Sequence, residues 1–150
     1  MICYRQAQVS DAQLLADIYN KAFYSDYLRY GECPGYGKTK ETMEQSLRDF
    51  PKYVIYLDDM PVGCISYQRV GEGEYEIGAL CVIPEYQGRG IGTAAMNFFK
   101  SNYADWKKIS LSTPADKVEN VRFYTEKCGF SITSYEMDKN VKIARFLLEK

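Results

Sequence analysis

The chain contains no histidine. A mechanism built on an imidazole base is therefore excluded, and a zinc site of the usual Cys/His kind is not expected. Cysteine does not fill the gap. The five present, Cys3, Cys33, Cys64, Cys81 and Cys128, are odd in number and form no C-x-x-C pair. They read as reduced thiols serving as small apolar residues, and no metal is expected. No apolar run approaches the roughly 20 residues that span a bilayer. Met1-Ile2-Cys3-Tyr4-Arg5 opens like a strand, without the basic region and apolar core of a signal peptide. The expectation is a cytoplasmic protein with no membrane partner. A net charge of −1 and a pI near 5.6 supply no global positive field, so no nucleic-acid partner is expected either. Repeats, low-complexity runs and linkers are absent.

What is present suits one α/β domain: 150 residues, 46% of them apolar. Fourteen tyrosines fit half-buried positions, where a ring needs cover and a hydroxyl needs a partner. Residues 2–8 alternate as a strand. Ser10-Asp11 looks like a helix cap, and Leu14, Leu15, Ile18, Ala22 and Phe23 recur at helical spacing over about 11–23. Residues 24–37 are aromatic and loop-like. Within them Gly35-Tyr36-Gly37-Lys38-Thr39 suggests a phosphate loop, but Glu32 stands where that motif needs glycine. Thr39 instead reads as the cap of a second helix, about 40–49, with Met43 and Leu47 inward.

Residues 52–58, 62–70 and 74–83 read as three strands joined by short turns at Asp58-Asp59-Met60-Pro61 and Gly71-Glu72-Gly73, an antiparallel meander. A helix follows from Ile91 to about Tyr103, then a strand at 108–112 and a helix at 116–127. Gly129 suits the left-handed position after that helix. Two further strands, about 130–138 and 142–148, complete the order β-α-α-β-β-β-α-β-α-β-β. This predicts a mixed, mostly antiparallel sheet of about seven strands flanked by about four helices.

The chemistry concentrates where the third meander strand meets its helix, at Leu80-Cys81-Val82-Ile83-Pro84-Glu85-Tyr86-Gln87-Gly88-Arg89-Gly90-Ile91-Gly92-Thr93. Alternating glycines let backbone approach a ligand closely and adopt dihedrals that side chains forbid. The helix start adds unpaired amides and a positive dipole end, so a diphosphate is the natural guest. The spacing differs from the dinucleotide fingerprint G-x-G-x-x-G, which also needs a parallel βαβ unit.

Gln87-Gly88-Arg89-Gly90-Ile91-Gly92 resembles the Gln/Arg-x-x-Gly-x-Gly/Ala signature of the GNAT superfamily of acyl-CoA-dependent N-acetyltransferases. Phe123-Tyr124-Thr125-Glu126-Lys127-Cys128-Gly129-Phe130 is similar to that family's later hallmark, and the element order matches over nearly the whole chain. The resemblance implies a single GNAT-like domain over 1–150. In it acetyl-CoA is a co-substrate lying in a V-shaped gap between the strand ending near Val82 and the strand near Ile109–Leu111. Backbone of Leu80, Cys81 and Val82 would pair with the pantetheine arm, and an N–H near Val82 would polarise the thioester carbonyl. The amides of Gln87, Gly88, Arg89, Gly90, Ile91, Gly92 and Thr93 would hold the pyrophosphate.

The resemblance also supplies acid and base. Tyr124 matches the tyrosine that protonates the departing thiolate, and Glu76 stands where some relatives keep a glutamate general base. Glu74, on the same strand face, is an alternative base or a binder of a cationic substrate. Many relatives carry a cofactor-contacting asparagine seven residues before the tyrosine. Lys117 occupies that position here, while Asn120, one helical turn before Tyr124, is the replacement candidate. The acceptor, a small-molecule or peptide amine, would meet residues 24–37, where Tyr24, Tyr27, Tyr30, Tyr36, Asp26 and Glu32 suit a cation. The function implied is transfer of acetyl from acetyl-CoA to a primary amine by direct attack in a ternary complex. A non-catalytic acyl-CoA-binding module is the alternative. The C-terminal strand pair offers an edge on which a homodimer could form.

Overall fold

The computed structural model describes all residues from Met1 to Lys150. Its elements run β1 (Ile2–Gln6), α1 (Ala12–Tyr30), α2 (Lys40–Asp49), β2 (Lys52–Leu57), β3 (Met60–Gly71), β4 (Glu74–Val82), α3 (Ile91–Asn102), β5 (Lys108–Pro114), α4 (Val118–Arg122), β6 (Ser131–Asp138) and β7 (Val141–Glu149). The strands form one seven-stranded mixed sheet in the order β1-β2-β3-β4-β5-β7-β6. The element order is the one read from the sequence. β1 with β2, β2 with β3, β5 with β7 and β6 with β7 are antiparallel. β4 and β5 run parallel, with Glu74 opposite Lys108, Tyr75 opposite Ile109 and Glu76 opposite Ser110.

Two elements depart from expectation. The first helix does not stop at residue 23; it continues to Tyr30, and the loop shrinks to the stretch between Tyr30 and Lys40. Neither glycine nor proline occurs between Ala12 and Tyr30, so nothing in the backbone ends the helix. Gly31 ends it, with a left-handed φ of 75° and its N–H on the Tyr27 carbonyl at 2.8 Å. The second departure is at residues 116–127, where only Val118–Arg122 is α-helical. Phe123–Lys127 widens into a π turn, closed by Cys128 N–H donating to the Phe123 carbonyl at 3.2 Å.

The chain forms two compact units, Met1–Tyr67 with Ala79–Ala95, and Gln68–Gly78 with Met96–Lys150. In the first, α1 and α2 bury Leu15, Ile18, Tyr19 and Met43 with Val54, Ile55, Val62, Cys64, Cys81 and Ile83. Met43 lies inward as its helical spacing predicts, and Leu47 is partly buried. Thr39 caps α2: its hydroxyl accepts from Thr42 N–H at 3.1 Å. Asp11 acts differently from a simple cap. Its carboxylate accepts from Gln8 N–H at 2.8 Å and from Arg5, and that cation holds its pKa below the usual carboxylate value.

In the second unit Tyr75 meets Phe99 edge-on at 5.4 Å and Tyr103 at 5.4 Å, while Ile109, Ala144 and Phe146 are fully buried. Each large apolar side chain so covered contributes about 1.5–3 kcal/mol. Cutting Phe99 to alanine would cost about 3–5 kcal/mol.

Candidate active site

In the first unit the run from Leu80 to Thr93 is shaped by its backbone. The Cys81 side chain is buried, and Leu80 and Val82 are half-buried against the core. Ile83 N–H donates to the Val62 carbonyl at 2.8 Å, tying this end of β4 to β3. The two backbones run so close that a Cβ on Gly63 would collide with the Cys81 carbonyl oxygen, so only glycine fits there. Pro84–Tyr86 then makes a single tight turn.

Gln87 folds its side chain back and donates from Nε2 to the Val82 carbonyl at 2.9 Å, closing the turn on the strand it leaves. Gly88 and Gly90 take left-handed φ values of 76° and 80°, with no atom within 4 Å of a Cβ placed on either. Dihedral freedom, not crowding, is what these two positions require. The first helical bond is Ala94 N–H to the Gly90 carbonyl at 3.0 Å. The amides of Ile91, Gly92 and Thr93 therefore lie ahead of the first intrahelical donor, at the positive end of α3. Ile91 anchors this start by burying its side chain. Arg89 turns away from it: Nη2 reaches the Glu85 carbonyl at 3.3 Å, and the guanidinium lies 4.9 Å from the Tyr86 ring centre.

In the second unit β4 alternates as its sequence suggests. Tyr75 and Ile77 are buried, Glu74 is exposed and Glu76 is half-buried. Gln68 Nε2 donates to Glu76 Oε1 at 3.0 Å and fixes that carboxylate. Tyr124 lies in the π turn, 7% exposed. Its ring is wedged by Phe123 at 5.0 Å, Phe130 at 5.8 Å and Phe146 at 5.7 Å. Phe130 N–H donates to the Tyr124 carbonyl at 2.9 Å, and Gly129 turns the chain with φ of 80°. Asn120 donates its amide to Thr113 Oγ1 at 3.2 Å, joining α4 to β5.

The aromatic stretch expected to meet the acceptor packs largely on itself. Tyr27 and Tyr36 stack at 4.6 Å and Tyr24 meets Tyr36 at 5.6 Å, yet Tyr24 and Tyr27 stay partly exposed. Asn20 accepts from Lys38 N–H at 2.8 Å and donates to its carbonyl at 2.9 Å, and Gly35 presses on the Phe23 ring. No group of three or more acidic or cysteine side chains is arranged to hold a metal ion.

The roles of Gln68, Thr113 and the Val82 carbonyl left no mark in the sequence: the first depends on how β3 meets β4, the second on how α4 lies on β5, and the third on how the turn folds back. Lys52 did leave one. It shares an inward alternation with Val54, so the strand pattern points a lysine into the core.

The central strand of a mixed sheet thus runs into a left-handed glycine turn and a helix start. A family model described as the acetyltransferase (GNAT) family matches residues 13–130. The chain belongs to the GNAT acetyltransferase family.

Among solved structures, an acetyltransferase from Thermus thermophilus is 17% identical, with a TM-score of 0.79 over 100% of this chain and 97% of that one. The ribosomal-protein-S18-alanine N-acetyltransferase of Escherichia coli is 14% identical, with a TM-score of 0.79 over 99% and 94%. The putative acetyltransferase YncA of Salmonella typhimurium, solved with acetyl-CoA, is 14% identical with a TM-score of 0.72 over 99% and 93%. At these identities the similarity is one of fold. The Bacillus subtilis (strain 168) protein YrkN is 37% identical over 54 residues, a stretch covering 36% of this chain and 29% of that relative.

Proposed function

We propose that this protein is an acetyl-CoA-dependent N-acetyltransferase that moves the acetyl group to a primary amine by direct attack in a ternary complex. One observation carries the reading. Two left-handed glycines lead into a helix whose first amides precede the first intrahelical donor, in a chain of the GNAT family. That arrangement suits a pyrophosphate. Acetyl-CoA bound to a structural neighbour supports the identity of the donor.

The amides of Gln87 to Thr93 would receive the pyrophosphate, and Leu80 to Val82 would offer backbone to the pantetheine arm, with an N–H near Val82 for the thioester carbonyl. An alkylammonium acceptor, pKa about 10.4, must lose a proton before it attacks. Glu76, held by Gln68, is assigned that proton, directly or through water. As the carbon–sulfur bond breaks the sulfur leaves as thiolate, and Tyr124 donates to it. A phenol of pKa about 10 matches a thiol of about 8.5 closely enough to act as the bond breaks. Asn120 is assigned to the cofactor through its carbonyl oxygen, since its amide holds Thr113.

Direct attack is supported by the thiols. Burial pushes Cys64 up to about 11 and raises Cys81 well above the ordinary thiol value, so neither is a ready nucleophile at neutral pH. Five cysteines, none of them in a disulfide, suit a reducing cytoplasm. β6, an edge strand exposed at nearly every position, is the surface we assign to homodimer formation.

The test is an amine-acceptor screen read by free CoA, with thermal shift alongside. CoA should raise the melting temperature while NAD and ATP leave it unchanged, since only a ligand of the folded state stabilises it. Mass spectrometry during turnover should find no acetyl-cysteine. Stabilisation by NAD or ATP instead of CoA overturns the donor assignment. CoA binding without transfer to any amine makes the chain a binding module.

A further inference from the structure

The first unit holds a buried cation that the acid–base scheme does not use. Lys52 is 3% exposed, and its Nζ donates to Ser66 Oγ at 2.9 Å. Around it stand the rings of Tyr19 at 5.6 Å and Phe50 at 5.9 Å. An ammonium carries three donors and one lysine in the core ordinarily has a carboxylate partner; here the neighbours are a hydroxyl, two rings and two neutral thiols. Lys38 adds a second positive charge nearby, and it and burial both lower the Lys52 pKa, burial being the larger cause.

The position is as informative as the charge. Lys52 stands opposite Ser66 in the β2–β3 ladder, and Val54 opposite Cys64. Cys64 Sγ reaches Tyr19 OH at 3.7 Å, and the charge of Lys52 is felt at both Cys64 and Cys81. Cys81 is the middle residue of the Leu80–Val82 stretch assigned to the thioester arm. Tyr19, Cys64 and Cys81 belong to one buried cluster of the first unit, and the Lys52 ammonium lies over the Tyr19 ring of that cluster, with the partly exposed Phe50 ring 5.9 Å away.

We propose that Lys52, with Ser66 and Tyr19, is a specificity-determining subsite for a carboxylate on the acceptor, so that the substrate is an amino-acid-like amine and not a simple alkylamine. This rests on the acetyl-transfer reading. A carboxylate fills the unused donor positions of the ammonium and can accept from the Tyr19 hydroxyl, which returns to the lysine the charge partner the fold omits. An amine without a carboxylate leaves that cation buried and unpaired, and is discriminated against for that reason.

The experiment pairs each proteinogenic amino acid with its own carboxamide, which removes the carboxylate charge and also lowers the ammonium pKa, a change that by itself favours the carboxamide as nucleophile. Free-CoA release is measured for wild type, Lys52→Met and Lys52→Arg. Wild type should favour the carboxylate member of at least one pair by roughly 10²–10³ in kcat/KM, mainly through KM. Lys52→Met should erase that preference, and Lys52→Arg should keep part of it. Equal preference in wild type and Lys52→Met overturns the proposal. So does a wild type that never discriminates within a pair, a result that needs no variant to fold.

If no acceptor releases CoA, the transfer reading fails separately, and thermal shift of the CoA-loaded protein decides this one. Stabilisation by amino acids over their carboxamides, lost in Lys52→Met, sustains it. No stabilisation by either overturns it.

Discussion

The glycine turn at 87–93 and the π turn at 123–127 build their chemistry in opposite ways. The first works through main chain. Its side chains point elsewhere: Ile91 into the core, Gln87 back to the Val82 carbonyl and Arg89 onto the turn before it. The second works through one side chain. Its backbone widening sets a tyrosine between three phenylalanines and turns the helix off immediately afterwards. A backbone site tolerates changes of neighbouring side chains but not of dihedral angle. A side-chain site tolerates backbone tuning but not loss of one functional group.

The contrast is sharpest in Tyr124→Phe. Ring packing is kept and only the hydroxyl goes, so the transfer rate should fall by roughly 10²–10⁴ while calorimetric CoA affinity stays near wild type. Full activity in this variant removes Tyr124 from the mechanism. Next in size is Gly90→Val. A β-branched residue at a φ of 80° is strained by about 1–2 kcal/mol or moves the turn. CoA affinity should drop about 10²-fold, with a lower melting temperature. A turn that binds CoA normally with valine there is not a backbone site.

Smaller still is Gln87→Ala, which deletes one exposed hydrogen bond to the Val82 carbonyl. Such a bond contributes about 0.5–1.5 kcal/mol, so CoA affinity should weaken about 2- to 10-fold without a change in the pH profile of turnover. Smallest is Arg89→Ala. Its guanidinium is engaged with Glu85 and Tyr86, so CoA affinity should change by less than about 3-fold. A loss comparable to that of Gly90→Val would mean that the arginine, not the main chain, holds the phosphates.

Much of this was legible in advance because it rests on local rules. Glycine spacing after an apolar strand and a proline marks a backbone site wherever it occurs, and the strands and helices followed from periodicity and turn residues. Asp58 with φ of 51° sits in the turn expected at 58–61, and Lys139 with φ of 54° sits in the gap between the strands expected at 130–138 and 142–148. What was not legible depends on how helix geometry and packing resolve locally ambiguous stretches. The tyrosine-rich continuation of α1 looked loop-like, since its apolar spacing fades after Phe23 and only the absence of a breaker argued for helix. The π turn has no sequence signature apart from the helix around it. Gln68 could be matched to Glu76 only once β3 and β4 were in register, and Asn120 to Thr113 only once α4 lay against β5.

Asn20 has a consequence of a different kind. By gripping both the N–H and the carbonyl of Lys38, it closes the span from the middle of α1 to the foot of α2 with two hydrogen bonds on one side chain. Closure entropy grows only slowly with the length of a span. A change in the length of the connection between Tyr30 and Lys40 therefore adds little closure entropy while the clasp holds its ends. The clasp bounds what an insertion there can disturb, whereas Ala22, Phe23 and Asp26 remain tied to the packing of α1.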